Sequence, residues 1–299
     1  AQANKIQSLP SRVNKMYIQH FGMMQYPFSL TPNTRYFLKL PAHEHAFQQL
    51  LSALSDHGQI SKLTGEVGVG KTMLCRKVLN ALANHKDKYI TAYIPHPFLD
   101  EEGIMHALAE ELGLPHPDKA SYRELLKVIS QEIIAQSKNL KQVVLFIDEA
   151  QAIPTETLAA LYLLTTIQTT QAHFQVVLFG QPELDLLLDQ PALRPLRQGL
   201  SFSHTLPALD REGVDAYVEH RLAKAGYNGK SLFSQDAIDA IFQSSGGIPR
   251  LINILCHKAL MVGYGKGAFT IPLAYVKSAI IDTEPAHKER GFADRIFGR

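Results

Sequence analysis

Eight consecutive residues, Gly65-Glu66-Val67-Gly68-Val69-Gly70-Lys71-Thr72, put three glycines, an amine and a hydroxyl into one short stretch. Glycines let successive backbone N–H groups turn inward around an anion, and the positive end of a following helix adds to the attraction. The Lys71 ammonium suits the β- and γ-phosphates of ATP, and the Thr72 hydroxyl is a hard oxygen ligand of the kind magnesium takes. The nucleotide-lining residues expected from this pattern run from Gly65 through Thr72 to Met73. The spacing has this meaning between a strand and a helix; elsewhere it is a glycine-rich turn that binds nothing.

A second stretch, Val143-Val144-Leu145-Phe146-Ile147-Asp148-Glu149, ends an apolar run in two carboxylates. In a parallel sheet that position is the carboxyl edge, where ligands bind. Asp148 is expected to hold magnesium, directly or through water, and Glu149 to orient and polarise the attacking water as general base. Taken alone, the pair is equally readable as a solvated turn. Gln181, in Gly180-Gln181-Pro182-Glu183, is placed at a strand tip to touch the γ-phosphate or the water, the alternative being a simple helix start. Arg194 and Arg197 precede the last strand, where a guanidinium reaches a neighbouring subunit's nucleotide or merely faces solvent. Arg250 opens a helix after Gly246-Gly247-Ile248-Pro249. A cation at that end opposes the helix dipole, so an anion, the ATP phosphates, is its expected partner, the alternative being a simple surface salt bridge.

The elements that must position these groups follow from periodicity. Short apolar strands are predicted at 60–63, 89–94, 143–147, 174–179 and 200–206, with helices at 44–54, 71–82, 101–112, 121–136, 156–168 and 183–189 between them. Strands alternating with helices predict an α/β fold, a parallel sheet covered on both faces. After Pro207 only helical periodicity remains, at 212–225, 235–244, 250–263 and 273–282, which predicts a small all-helical lid. The expected organisation is an extension at 1–15, a nucleotide-binding domain at 16–206 that includes an aromatic lead-in, a lid at 207–282 and a tail at 283–299. The extension is polar and aperiodic, with Met16 resembling a natural start, and the tail is read as a frayed end or a short docking helix.

Composition narrows the function classes. An apolar content of 45%, a charged content of 19% and a net charge of +2 describe a globular protein and argue against a dedicated nucleic-acid binder. Cys75 and Cys256 sit in apolar helical patterns and read as buried thiols. His43 and His45 flank Glu44 two residues apart, a poor chelate, so no metal besides magnesium is expected. No apolar run has the length of a membrane span and no leader is apparent, so the expected location is cytoplasmic.

The order of motifs resembles the AAA+ ATPases, P-loop NTPases with a helical lid. More narrowly it resembles the ExeA-type branch, general secretion pathway protein A and its relatives. The likeness spans roughly 16–282 and rests on Met16-Tyr17, Phe21-Gly22, Pro27-Phe28-Ser29-Leu30-Thr31-Pro32-Asn33, the glycine loop, Ile147-Asp148-Glu149-Ala150-Gln151, Gly180-Gln181-Pro182-Glu183-Leu184 and Gly247-Ile248-Pro249-Arg250-Leu251-Ile252-Asn253. The resemblance implies an ATPase supporting assembly of an envelope machine. Its implied partners are pilus or secretion assembly proteins, with nucleotide-dependent homo-oligomers and peripheral contact with the inner membrane. The chain is most similar to short members encoded with the mannose-sensitive haemagglutinin type IV pilus. Relatives carry Gln-Arg where this chain has Gln198-Gly199, which leaves Arg197 or Arg194 as the trans-acting candidate. The competing expectation is a DNA-associated AAA+ ATPase of the transposition-regulator type.

Overall fold

A computed structural model describes residues 17–31, 33–56, 58–167 and 174–283. The extension at 1–15 and nearly all of the tail lie outside these. The backbone divides into two compact units, Lys39–Pro207 and a second made of the residues up to Leu38 together with those from Ala208 onward.

In the first unit the order is α1 (Pro41–Ser55), β1 (Ile60–Thr64), α2 (Lys71–Ala83), β2 (Tyr89–Ile94), α3 (Glu101–Glu111), α4 (Tyr122–Lys138), β3 (Gln142–Ile147), α5 (Thr155–Thr165), β4 (Phe174–Gly180), α6 (Glu183–Leu188), α7 (Arg194–Gln198) and β5 (Leu200–Thr205). Local chemistry sets several starts. Asp100 caps α3 by accepting from Gly103 N at 2.8 Å, and Ser121 with Glu124 forms a capping box on α4.

The five strands are parallel, in the order β2-β3-β4-β1-β5. From β1 the chain crosses to the far edge at β2, steps back through β3 and β4, and crosses β1 to reach β5. The crossover leaving β1 runs toward β2 while the one leaving its neighbour β4 runs the opposite way to β5, so the carboxyl ends of β1 and β4 form a switch point, where open α/β sheets bind ligands. β3 is buried at every position because helices cover both of its faces. Val143, Leu145 and Ile147 join a core with Ile104, Leu108, Ile129 and Leu161 from the helices. By the pleat, Val144 and Phe146 face the other way, where the Phe146 ring stacks on Phe179 at 6.5 Å. β5, at the edge, alternates half-buried and exposed residues.

Register aligns the functional edge. Ile147 pairs with Leu178, and Thr64 with Gly180, so β1, β3 and β4 end within about two residues of one another.

The second unit contains α8 (Arg211–Lys224), α9 (Gln235–Ser245), α10 (Pro249–Gly265) and α11 (Leu273–Ile281). It also contains the aromatic lead-in, which corrects the sequence expectation that assigned it to the nucleotide-binding domain at 16–206. The reason is a set of long-range contacts. Arg221, buried on α8, donates to Pro27 O at 2.5 Å and Ser29 O at 3.1 Å, and its guanidinium lies 4.8 Å from the Tyr36 ring centre. Met24 N donates to Ala225 O at 2.8 Å, and the Tyr17 hydroxyl meets His257 Nδ1 at 3.1 Å. Tyr17, Phe21, Phe28 and Tyr36 are buried. No helix among the described residues is long and apolar enough to cross a membrane.

Candidate active site

The loop between β1 and α2 turns through Gly68 and Gly70, with φ of 89° and 109°, a region that β-carbons disfavour. Gly65 answers a different need. A Cβ there would lie 2.8 Å from Leu206 O, the residue whose N–H continues the sheet by donating to Thr64 O at 2.8 Å. The loop therefore packs closely on its own sheet, and α2 begins directly at Lys71.

Lys71 is buried and folds back on the loop, donating through Nζ to Gly65 O at 2.8 Å and Glu66 O at 3.0 Å. Burial pushes its pKa down, while the charges of Glu149, Asp148, Glu66 and Glu183 partly oppose the shift. The next residue, Thr72, donates through Oγ1 to Asp148 Oδ2 at 2.5 Å. Asp148 is buried, which raises its carboxyl above the usual range despite that bond and a second from Glu149 N at 3.0 Å. The loop and the carboxyl end of β3 thus meet in one hydroxyl–carboxylate pair.

Glu149 has left-handed backbone angles, φ 52° and ψ 39°, uncommon away from glycine. Its Oε2 accepts from Gln151 Nε2 at 2.7 Å and Gln181 Nε2 at 3.0 Å. Gln151 also accepts through Oε1 from Gln181 N at 2.9 Å, closing a ring of three residues. Burial pushes the Glu149 carboxyl up, but these two donors, with Lys71 and His96, outweigh it and hold it below the usual range. Glu149 is therefore ionised at neutral pH, and both donors engage Oε2, leaving Oε1 without a hydrogen bond among the described residues.

The residues singled out from sequence divide accordingly. Lys71, Thr72, Asp148, Glu149 and Gln181 come together. Gln181 reaches Glu149 directly, and Pro182 leads into α6 immediately after it, so the helix-start reading of this position holds alongside the contact. Arg197 pairs with Asp189 at 2.5 Å on an exposed surface and makes no hydrogen bond to the loop or the carboxylates. Arg194 is exposed. Arg250 is exposed at the start of α10, in the second unit, and makes no hydrogen bond or ion pair among the described residues.

Two participants escaped the sequence reading. Gln151 stood in the segment that carried the resemblance, without a role. His43, weighed only as a chelator, is buried against the loop through Val69 O.

With this geometry in place, comparison with known proteins gives the frame. Residues 54–188 match the AAA domain family. Over 257 residues, 86% of its length, it is 38% identical to general secretion pathway protein A of Aeromonas hydrophila, of which it spans about half (46%). Among solved structures, its fold is similar to the Aeropyrum pernix ORC2 protein solved as ADPNP–ADP complexes, with a TM-score of 0.64 and 16% identity over 87% of this chain and 72% of that one. It is likewise similar to Cdc6p of Pyrobaculum aerophilum, with a TM-score of 0.66 and 18% identity over 82% and 67%. These likenesses establish the fold, a P-loop AAA+ sheet followed by a helical region.

The AAA site also passes a chemical test for magnesium. Its donor set, a threonine hydroxyl beside a buried carboxylate, is all hard oxygen. In the loop beside it, Gly68 and Gly70 adopt the positive φ that lets backbone N–H groups converge on a phosphate.

Proposed function

We propose that this chain binds ATP with magnesium through residues 65–73 and hydrolyses it. The observation that carries the reading is the Thr72–Asp148 contact, which joins the glycine loop to the carboxylate strand. Lys71, held on the loop's own carbonyls, has the reach and charge to transfer to the β- and γ-phosphates. Thr72 and Asp148 are the residues that would hold magnesium, which supplies charge neutralisation at the phosphates when bound. Glu149 accepts a hydrogen bond from the attacking water through Oε1, and Gln181, bonded to the same carboxylate, reads the γ-phosphate or the water. Arg250 is a further candidate phosphate ligand. Arg197, or Arg194, is the candidate for acting on a neighbouring copy in a nucleotide-dependent homo-oligomer.

The similarity to general secretion pathway protein A supports membership of that family and a role in a type II secretion-like envelope machine. The finer reading is biogenesis of a mannose-sensitive haemagglutinin type IV pilus, in the manner of MshM. The protein would work in the cytoplasm, in peripheral contact with the inner membrane. Capture of partners on Glu149→Gln, which retains ATP, tests this role. Pilus or secretion components on the bait are the expected result. DNA-transaction proteins, together with turnover stimulated by duplex DNA and lost with salt, would instead favour the transposition-regulator reading.

A further inference from the structure

A phosphate-cradling loop can turn its N–H groups inward only if its carbonyls turn outward. In solvent, water satisfies those carbonyls; Val69 is fully buried, so its carbonyl needs a donor from the protein. His43, in the first turn of α1, places Nε2 3.2 Å from Val69 O. A carbonyl oxygen only accepts, so Nε2 carries the proton. The same turn is fastened to the helix that follows the loop. Glu44 pairs with Lys77 of α2 at 3.1 Å, and the Lys77 ammonium lies 4.4 Å from the Phe47 ring centre. Gly68 and Gly70, on either side of Val69, both have positive φ, so the backbone freedom at these glycines is what a bond to the Val69 carbonyl would restrict.

From these contacts we infer that His43 is a positioning residue for nucleotide binding, a donor that fixes the Val69 peptide so that the loop's N–H groups face the phosphates. The inference rests on the reading of 65–73 as the nucleotide loop and adds to it a brace from outside the motif. Burial holds the His43 pKa below its ordinary value, consistent with a neutral ring.

The test uses the full chain, a fluorescent ADP analogue in magnesium buffer, and hydrogen exchange of the loop amides without nucleotide. His43→Phe keeps a ring but removes the donor. It should weaken ADP binding on the order of tenfold and speed exchange at 65–70. His43→Gln, whose amide N–H can reach a carbonyl, should restore most of both. Glu44→Ala, a more exposed change that spares folding, should weaken binding by about two- to threefold. Wild-type affinity and exchange in His43→Phe would overturn the inference, as would a His43→Gln protein no better than His43→Phe. Lys71→Ala separates the two claims: if it binds ADP like wild type, the nucleotide loop itself has been misassigned.

Discussion

Gln151 holds Glu149: its side-chain amide donates to Glu149 Oε2 at 2.7 Å while its carbonyl accepts from Gln181 N at 2.9 Å. A catalytic carboxylate must keep its free oxygen aimed at the water, and small misplacements are costly. Gln151→Ala should therefore lower kcat by about ten- to a hundredfold with little change in KM. Steady-state kinetics check this; a raised KM at unchanged kcat would assign Gln151 to binding instead.

Asp148 is a buried carboxylate whose pKa is raised chiefly by that burial. For an acid, a raised folded-state pKa means that ionisation costs stability as pH rises through it. Asp148→Asn, which keeps groups able to bond Thr72 and Glu149 N, should melt at or above wild type without nucleotide. It should also lose the stabilisation that magnesium–ATP gives wild type. Thermal melts with and without nucleotide measure both effects. A large fall in the nucleotide-free melting temperature would contradict the first.

Arg221 ties the lead-in to α8 through Pro27 O and Ser29 O, and it also donates to the Tyr217 hydroxyl on its own helix. Removing it leaves buried carbonyls without donors, so Arg221→Ala should cost the helical unit about 3 kcal/mol. Arg221→Lys should recover only part of this, because an ammonium cannot reproduce the planar fork. Denaturant unfolding decides the matter, and a loss within about 0.5 kcal/mol would show that the clamp is dispensable.

His43, His204, His220 and His257 all have pKa values lowered, chiefly by burial. A depressed folded-state pKa leaves stability intact above the ordinary value of 6.5 and removes it as pH falls through the folded value. The melting temperature should thus decline from about pH 7.5 to about pH 5.5. His257→Gln should flatten part of that slope, and a flat wild-type profile would contradict the sign.

Much of this arrangement was legible in sequence because burial on both faces demands an apolar run, as in β3, and because the loop's chemistry demands glycine at fixed spacing. β5 was less distinct, since an edge strand alternates. The lead-in's assignment failed for a physical reason: Arg221 lies 194 residues from Pro27, a separation no local pattern encodes. Gln151 was hidden because its approach to Glu149 depends on the left-handed turn at Glu149. His43 was hidden because its partner is a backbone carbonyl, which carries no residue signature.

The central claim is that residues 65–73 bind ATP and that Glu149 drives its hydrolysis. Its most direct test is a magnesium–ATP experiment that records binding and single-turnover hydrolysis for wild type, Lys71→Ala and Glu149→Gln. The account predicts binding and turnover in wild type, no binding in Lys71→Ala, and binding without appreciable turnover in Glu149→Gln. Turnover by Glu149→Gln at the wild-type rate, or undiminished binding by Lys71→Ala, would contradict it.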